Sequence, residues 1–247
     1  MQIYPLSEGT FTIDASKLFV PFNQDEDELR ERPRGSLLVE IQPFVVKTST
    51  DVLLIDTGLG FSRNGKMQLH QNLEDTGIDP KSITKVLMSH LHKDHAGGVS
   101  LNEDRRKLSL PNAIYYLQER ELDFAFSKGS PSFIPEELEA LRHSSQIVLL
   151  TEDEGTIGNQ ISYKVTGAHS PVHQVFWIRE GNEIIFFGGD DAPQLHQMKS
   201  KYVAKYDHDG RKAMELRQQW WEQGKQEGWK FLFYHDVKQP VITPQKD

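Results

Sequence analysis

The sequence predicts an α/β chain in which two β-sheets stack and helices cover their outer sides. Short β-rich runs come in two batches along the 247 residues, and each batch is followed by helix-patterned segments. No Pro/Gly/Ser-rich linker, low-complexity segment or internal repeat divides them, so one domain over residues 1–247 is expected. Several apolar runs end abruptly in Gly, Asp or His, which is where a sheet delivers functional side chains.

In order, Thr10–Ile13, Leu37–Ile41, Phe44–Lys47 and Val52–Ile55 have strand length and strand composition between turns. Between them, Asp25–Arg32 is a dense charge run followed by Pro33 and Gly35. It reads as a solvated surface loop, and with Phe19 and Phe22 it is also a candidate lid. Met67–Leu73 reads as a helix ending before Gly77-Ile78-Asp79-Pro80. Ile83–Met88 and Ala113–Leu117 are expected strands, the second followed by a helix over Glu119–Phe126. Pro135–Leu141 has proline at its first helical position. Ile147–Leu150, Ile161–Val165, Val175–Ile178 and Ile184–Phe187 return to strands, Ala213–Gln226 is a helix, and Phe231–Tyr234 is the last strand. Trp220, Trp221 and Trp229 read as packing residues; an exposed Trp220 would instead mark an oligomer interface and leaves a homodimer open.

Composition narrows the chemistry. A hydrophobic fraction of 37% and a mean hydropathy of −0.56 describe a soluble globular chain. No apolar run has membrane-span length, and Met1–Gly9 lacks the basic start and apolar segment of a signal peptide, so no membrane association and a cytoplasmic location are expected. There are no cysteines. Disulfides, thiolate metal sites and cysteine nucleophiles are therefore excluded. The net charge of −8 argues against a nucleic-acid partner.

Between Ser89 and Gly98 the chain reads S-HLHKDH-AGG. His90, His92, Asp94 and His95 can converge only if the backbone turns sharply, and imidazole and carboxylate are both ligands for zinc and similar ions. Among 10 histidines in 247 residues, this spacing arises by chance in roughly one chain in a thousand, so a polar loop is the weaker reading. The motif is expected on the loop leaving a buried strand, with Asp94 and His95 near a helix start and Gly97-Gly98 allowing close backbone packing. A metal needs ligands from further strand ends. Three present themselves: His169, after Thr166-Gly167-Ala168; Asp190, after Ile184–Phe187 and Gly188-Gly189; and His235, after Phe231–Tyr234. Either His169 or His173 could be the ligand and the other a supporting group. His196 is either a substrate contact or a surface histidine. His70, His143 and His208 read as surface residues.

Taken in that order, HLHKDH, the small-residue turn to His169, strand-Gly-Asp at Asp190 and strand-His at His235 resemble the metallo-β-lactamase superfamily. Leu53-Leu54-Ile55-Asp56-Thr57-Gly58 is similar to that superfamily's early Asp-Thr-Gly segment. The resemblance implies a four-layer αββα sandwich with metals at one edge. It also implies that His90, His92 and His169 hold one ion, that Asp94, His95 and His235 hold a second, and that Asp190 bridges them. Asp56 and His173 would orient ligands. Zinc is the first choice of metal, with manganese or iron as alternatives.

Within the superfamily the chain looks most like the lactonase-like dinuclear hydrolases, although Thr166–His169 reads Thr-Gly-Ala-His rather than Thr-Pro-Gly-His. Two ions about 3.5 Å apart would acidify a shared water, and a bridging hydroxide would attack a small ester, first a lactone or another carboxylic ester. Asp94 and Asp190 would be the catalytic carboxylates. A phosphodiester or phosphotriester substrate is the alternative, and an inactive metal-binding module is a third reading.

Overall fold

The computed structural model describes residues 1–245; the last two positions of the expected domain lie outside the described residues. Two six-stranded sheets carry the fold. The first runs, edge to edge, Gln2–Pro5, Phe44–Lys47, Val52–Ile55, Lys85–Leu87, Ile114–Gln118 and Ile147–Leu150. Its N-terminal strands pair antiparallel and the rest parallel. The second runs Glu154–Ile157, Ile161–Val165, Gln174–Glu180, Glu183–Phe187, Lys230–Leu232 and Val241–Ile242. Its one parallel pair joins Glu183–Phe187 to Lys230–Leu232, and the chain crosses between them through the helix Gly210–Glu227.

Strand periodicity assigns the faces. Phe44, Val46, Leu53, Ile55 and Leu87 of the first sheet meet Ile161, Phe176, Ile178, Ile185 and Phe187 of the second in the central core. The alternate residues Val45, Leu54 and Val86 point outward, onto Leu69 and Leu73 of the helix Gln68–Asp75 and Leu122 and Ala125 of the helix Glu119–Lys128. On the far side, Val175, Phe186 and Phe231 meet Trp220, Trp221 and Trp229. The expected αββα layering is therefore present.

Local differences have local causes. Gly9–Ile13 and Leu37–Ile41 join Val20–Pro21 in a small separate sheet rather than either main one. The expected helix at Pro135 opens as a 3-10 turn, Pro135–Leu138, before Glu139–His143 becomes α-helical. The strand expected over Phe231–Tyr234 covers Lys230–Leu232 instead, and a further short strand not read from the sequence, Val241–Ile242, pairs antiparallel with it. Trp220 is only 6% exposed and packs in the core beside Phe186, as its packing reading expects. Phe22 is buried and Phe19 packs on Phe11, while Asp25–Arg32 is mostly solvated around one 3-10 turn, Leu29–Glu31. Among the described residues, no helix is long and apolar enough to cross a membrane.

The strands Val52–Ile55, Lys85–Leu87, Ile161–Val165, Glu183–Phe187 and Lys230–Leu232 all release their C-terminal ends at one edge of the sandwich, followed respectively by Asp56, His90, His169, Asp190 and His235.

Candidate metal centre

The loop after Lys85–Leu87 is held from below by Asp56. That residue sits in the left-handed region (φ 54°), a strain tolerated where neighbours over-determine it. Its Oδ1 accepts the Ser89 amide at 2.8 Å, and its Oδ2 accepts the Ser89 hydroxyl at 2.7 Å and His95 Nδ1 at 2.8 Å. His92 caps the one-turn helix Lys93–Ala96, which places Asp94 and His95 in its first turn. Glu121 accepts the Leu91 amide at 3.0 Å. The glycines of the motif then touch the Asp56 turn: a Cβ on Gly98 would lie 2.1 Å from the Thr57 carbonyl, and one on Gly97 2.3 Å from that of Leu59. Only residues without a side chain permit that approach.

The second sheet brings the remaining donors. The His169 amide donates to Asp191 Oδ1 at 2.7 Å, and His169 Nδ1 lies 2.9 Å from Asp207. The His173 carbonyl accepts the Thr166 amide at 2.8 Å and closes the His169 turn. Its ring Nε2 accepts the Asp190 amide at 3.1 Å, while Nδ1 sits 3.0 Å from Asp191 Oδ2. His235 Nδ1 donates to the Glu40 carbonyl at 2.7 Å. Tyr234 stacks on His95 with centroids 4.0 Å apart and donates its hydroxyl to the Asp94 carbonyl at 2.6 Å.

These supports aim the rings. His90, His95, His169 and His235 each have Nδ1 engaged by an oxygen (Ser89, Asp56, Asp207 and Glu40), so Nε2 faces inward, and those of His90 and His169 meet His92 Nδ1 at 2.9 and 3.1 Å. The donor atoms fall into two groups, each within 4.8 Å: His90, His92, His169 and Asp190, and Asp94, His95 and His235. Asp190 faces both. Its Oδ2 is 3.2 Å from His169 Nε2, and its Oδ1 is 3.1 Å from His95 Nε2 and 3.0 Å from His235 Nε2. His95 Nε2 and Asp190 Oδ1 are buried with no hydrogen-bond partner, an arrangement costing about 1–3 kcal/mol per group unless something satisfies it. A cation would. The set is all nitrogen and oxygen, which fits zinc, manganese or iron.

The electrostatics agree with that fit. Burial, with neighbouring imidazoles adding to it, pushes His90 and His92 well below the usual imidazole range. Burial acts in the same direction on His95, His169 and His235, but Asp190 and the nearby Asp94 or Asp207 outweigh it and raise all three. Burial would raise Asp190 too, yet His235, His95 and His169 hold it well below the usual carboxylate range. An ionised carboxylate among imidazoles is a cation-seeking arrangement.

His196 lies apart from both groups, exposed on the short helix Leu195–Met198, its ring 5.9 Å from Tyr202. His70 departs from its surface reading: it is half-buried, with Nε2 2.8 Å from the Ser109 carbonyl. His143 sits 3.2 Å from Glu139, and His208 is exposed. Sequence reasoning missed Asp191, Asp207, Glu8, Glu121 and the fully buried Arg217, which donates to the Asp191 carbonyl at 2.8 Å. Asp191 directly follows Asp190 and was the one open to notice. The others are single acids and bases on distant segments with no local signature.

Residues 41–216 match the family model described as the metallo-beta-lactamase superfamily. A 51-residue stretch is 39% identical to the N-acyl homoserine lactonase AttM of Azorhizobium caulinodans; it covers 21% of this chain and only 16% of that protein. The fold is also that of a probable metal-dependent hydrolase from Staphylococcus aureus, at 20% identity and TM-score 0.81, covering 100% of this chain and 93% of the other. AidC, a dizinc quorum-quenching lactonase solved with a product, aligns at 19% identity and TM-score 0.74 over 99% of this chain and 90% of its own.

Proposed function

Because the chain belongs to the metallo-β-lactamase superfamily, we propose that it is a single-domain, dinuclear metal-dependent hydrolase whose substrate is a small ester, first a lactone or another carboxylic ester. The observation that carries this reading is the position of Asp190, whose two oxygens face two separate donor groups. In this reading His90, His92 and His169 hold one ion, Asp94, His95 and His235 the other, and Asp190 spans them; zinc is the first candidate, with manganese or iron as alternatives. When bound, the ions supply Lewis acidity and a water acidic enough to act as nucleophile near neutral pH.

The chain's own groups supply the rest. Asp56, Asp207 and the Glu40 carbonyl fix ring tautomers before substrate arrives, so little reorganisation remains for the reaction itself. Asp94 Oδ2, 3.7 Å from His95 Nε2 and 3.5 Å from His235 Nε2, is placed to hold the proton released from the attacking water. Buried Tyr234 keeps Asp94 in place through its carbonyl. The AttM stretch and the lactonase fold support lactones ahead of phosphoesters.

The test is hydrolysis by protein loaded separately with zinc, manganese and iron, on short- and long-chain lactones and an activated phosphodiester. Lactone turnover that falls more than about a hundredfold in Asp190→Ala is expected. Phosphodiester turnover alone would move the assignment to phosphoesters, and bound metal with no turnover of either would favour an inactive binding module.

A further inference from the structure

Beside the His235 end of the candidate centre lies a cavity of about 620 Å³, the size of a small-molecule site. It shares a wall with the centre. Gln194, in that wall, donates to the carbonyls of Leu38 at 3.1 Å and His235 at 2.9 Å, and Asp236 directly follows His235.

The lining is cationic in a chain of net charge −8. Arg32, Lys199 and Lys238 all face the cavity, and among the described residues none of them has a carboxylate partner. The one acid in the lining, Asp236, is already engaged: Oδ1 accepts the amides of Lys238 at 3.0 Å and Gln239 at 2.9 Å, and Oδ2 accepts that of Leu195 at 2.8 Å. A further lining atom, the Ser36 hydroxyl, is buried without a hydrogen-bond partner. Cations without a carboxylate partner, Lys199 among them 5.5 Å over the Trp221 ring, are gathered in one concavity with a buried hydroxyl left to donate, and such a lining is complementary to an anion.

We propose that this cavity binds a small molecule through a phosphate or carboxylate group, held by Arg32, Lys199 and Lys238 with the Ser36 hydroxyl. Arg32 already has its Nε on the Leu29 carbonyl at 3.2 Å, which leaves its two terminal nitrogens for a forked contact. The exposed His196 also lines the cavity, so the histidine singled out in the sequence borders this site rather than the metal cluster. The anion has two sources: the acidic end of the ester being cleaved, or a separate small effector. Only the first rests on the ester-hydrolase reading.

The experiment measures Tm of the metal-loaded protein against inorganic phosphate, with sodium chloride at matched ionic strength, for wild type and R32Q/K238Q. A saturating rise in wild type is expected, with the variant needing at least about tenfold more phosphate. Equal rises in both would place phosphate elsewhere, the metals included, and overturn the site; so would no rise in either. Metal content and unliganded Tm show whether the variant folds, and Lys238→Gln alone, on an exposed position, replaces it if not. A second arm compares kcat/KM for an ester ending in a carboxylate with that for its uncharged counterpart. A preference lost in the variant assigns the site to the substrate's tail. A preference unchanged beside a weakened phosphate response assigns it to a separate effector. Absence of all turnover beside an intact phosphate response would count against the ester reading and leave the anion site standing.

Discussion

Behind His169 and Asp190 stand Asp191, His173 and, from the helix Gly210–Glu227, the buried Arg217. Behind His90, His92 and His95 stand Glu8, just before the strand Gly9–Ile13, and Glu121, on the helix Glu119–Lys128. All of these acids are buried, yet the fold keeps them in different charge states. Burial would raise Asp191, but His173 at 3.0 Å and the Thr166 hydroxyl bring it below the usual carboxylate range. Glu8 has no such partner. It accepts one amide, Leu59 at 2.7 Å, its Oε1 has no hydrogen bond, and burial lifts it to about 8. Burial likewise takes Glu121 to about 7. A buried carboxyl stays ionised only where the fold supplies a cation or several donors; otherwise it keeps its proton. Beyond Asp56, whose carboxylate meets His95 Nδ1 at 2.8 Å, the first half is therefore backed by acids that burial drives toward the neutral form, and the second by an ionic network.

The strongest way to break this contrast is to remove the cation from the second half. Arg217→Met leaves the carbonyls of Asp191 and Tyr202 without their donors and the neighbouring carboxylates without a counter-charge. Losing two buried hydrogen bonds from a charged donor, at about 1.5–3 kcal/mol each, costs about 3–6 kcal/mol. Urea denaturation should show a loss of that size. A loss below about 1 kcal/mol would mean that the second half does not depend on its ions.

The next effect is read in pH. Between about 4.5 and 8, folded Glu8 holds a proton that the unfolded chain has released, so its contribution to stability is present at the acid end and is lost as pH rises through that window. The slope is about 1.4 kcal/mol per pH unit. Wild type minus Glu8→Gln should therefore lose about that much between pH 6.5 and 7.5 by chemical denaturation. Asp191 has the opposite sign. Its depressed folded value makes its contribution present above the usual carboxylate range and lost as pH falls through the folded value. The gap between wild type and Asp191→Asn should then close on acidification. Two gaps moving the same way with pH would contradict the contrast.

The two halves also differ in how far the sequence revealed them. His90, His92, Asp94 and His95 lie on one turn of chain, and their spacing is visible because a single loop must do all the converging. His169, Asp190 and His235 were legible one at a time, each as an apolar strand ending in a ligand-type residue. The layers followed from strand periodicity, which reports burial directly. What the sequence withheld was the bracing. Asp207 lies 38 residues from His169, and Glu121 lies 30 from Leu91, on a helix whose pattern reads as ordinary amphipathic surface. A lone acid carries no mark of its partner until the sheets have stacked.

Asp207 offers the finest test of the contrast, because changing it alters charge with almost no change in shape. Its side chain is 1% exposed, Oδ1 holds His169 Nδ1 at 2.9 Å, and Oδ2 is buried without a hydrogen bond. Asp207→Asn keeps an acceptor for the ring but removes the negative charge that makes His169 a stronger donor to a cation. The ring should stay in place while metal affinity falls about tenfold, the low end of the range for such supporting groups. Competition with a chelator measures that fall, and unfolding of the metal-free protein serves as the control for a merely structural effect. If metal-free stability drops while affinity holds, the charged network braces the sheet rather than the ring. If affinity drops alone, Asp207 supports His169 by charge, as Asp56 is placed to do for His95, where Glu121 reaches the first half only through the Leu91 backbone amide.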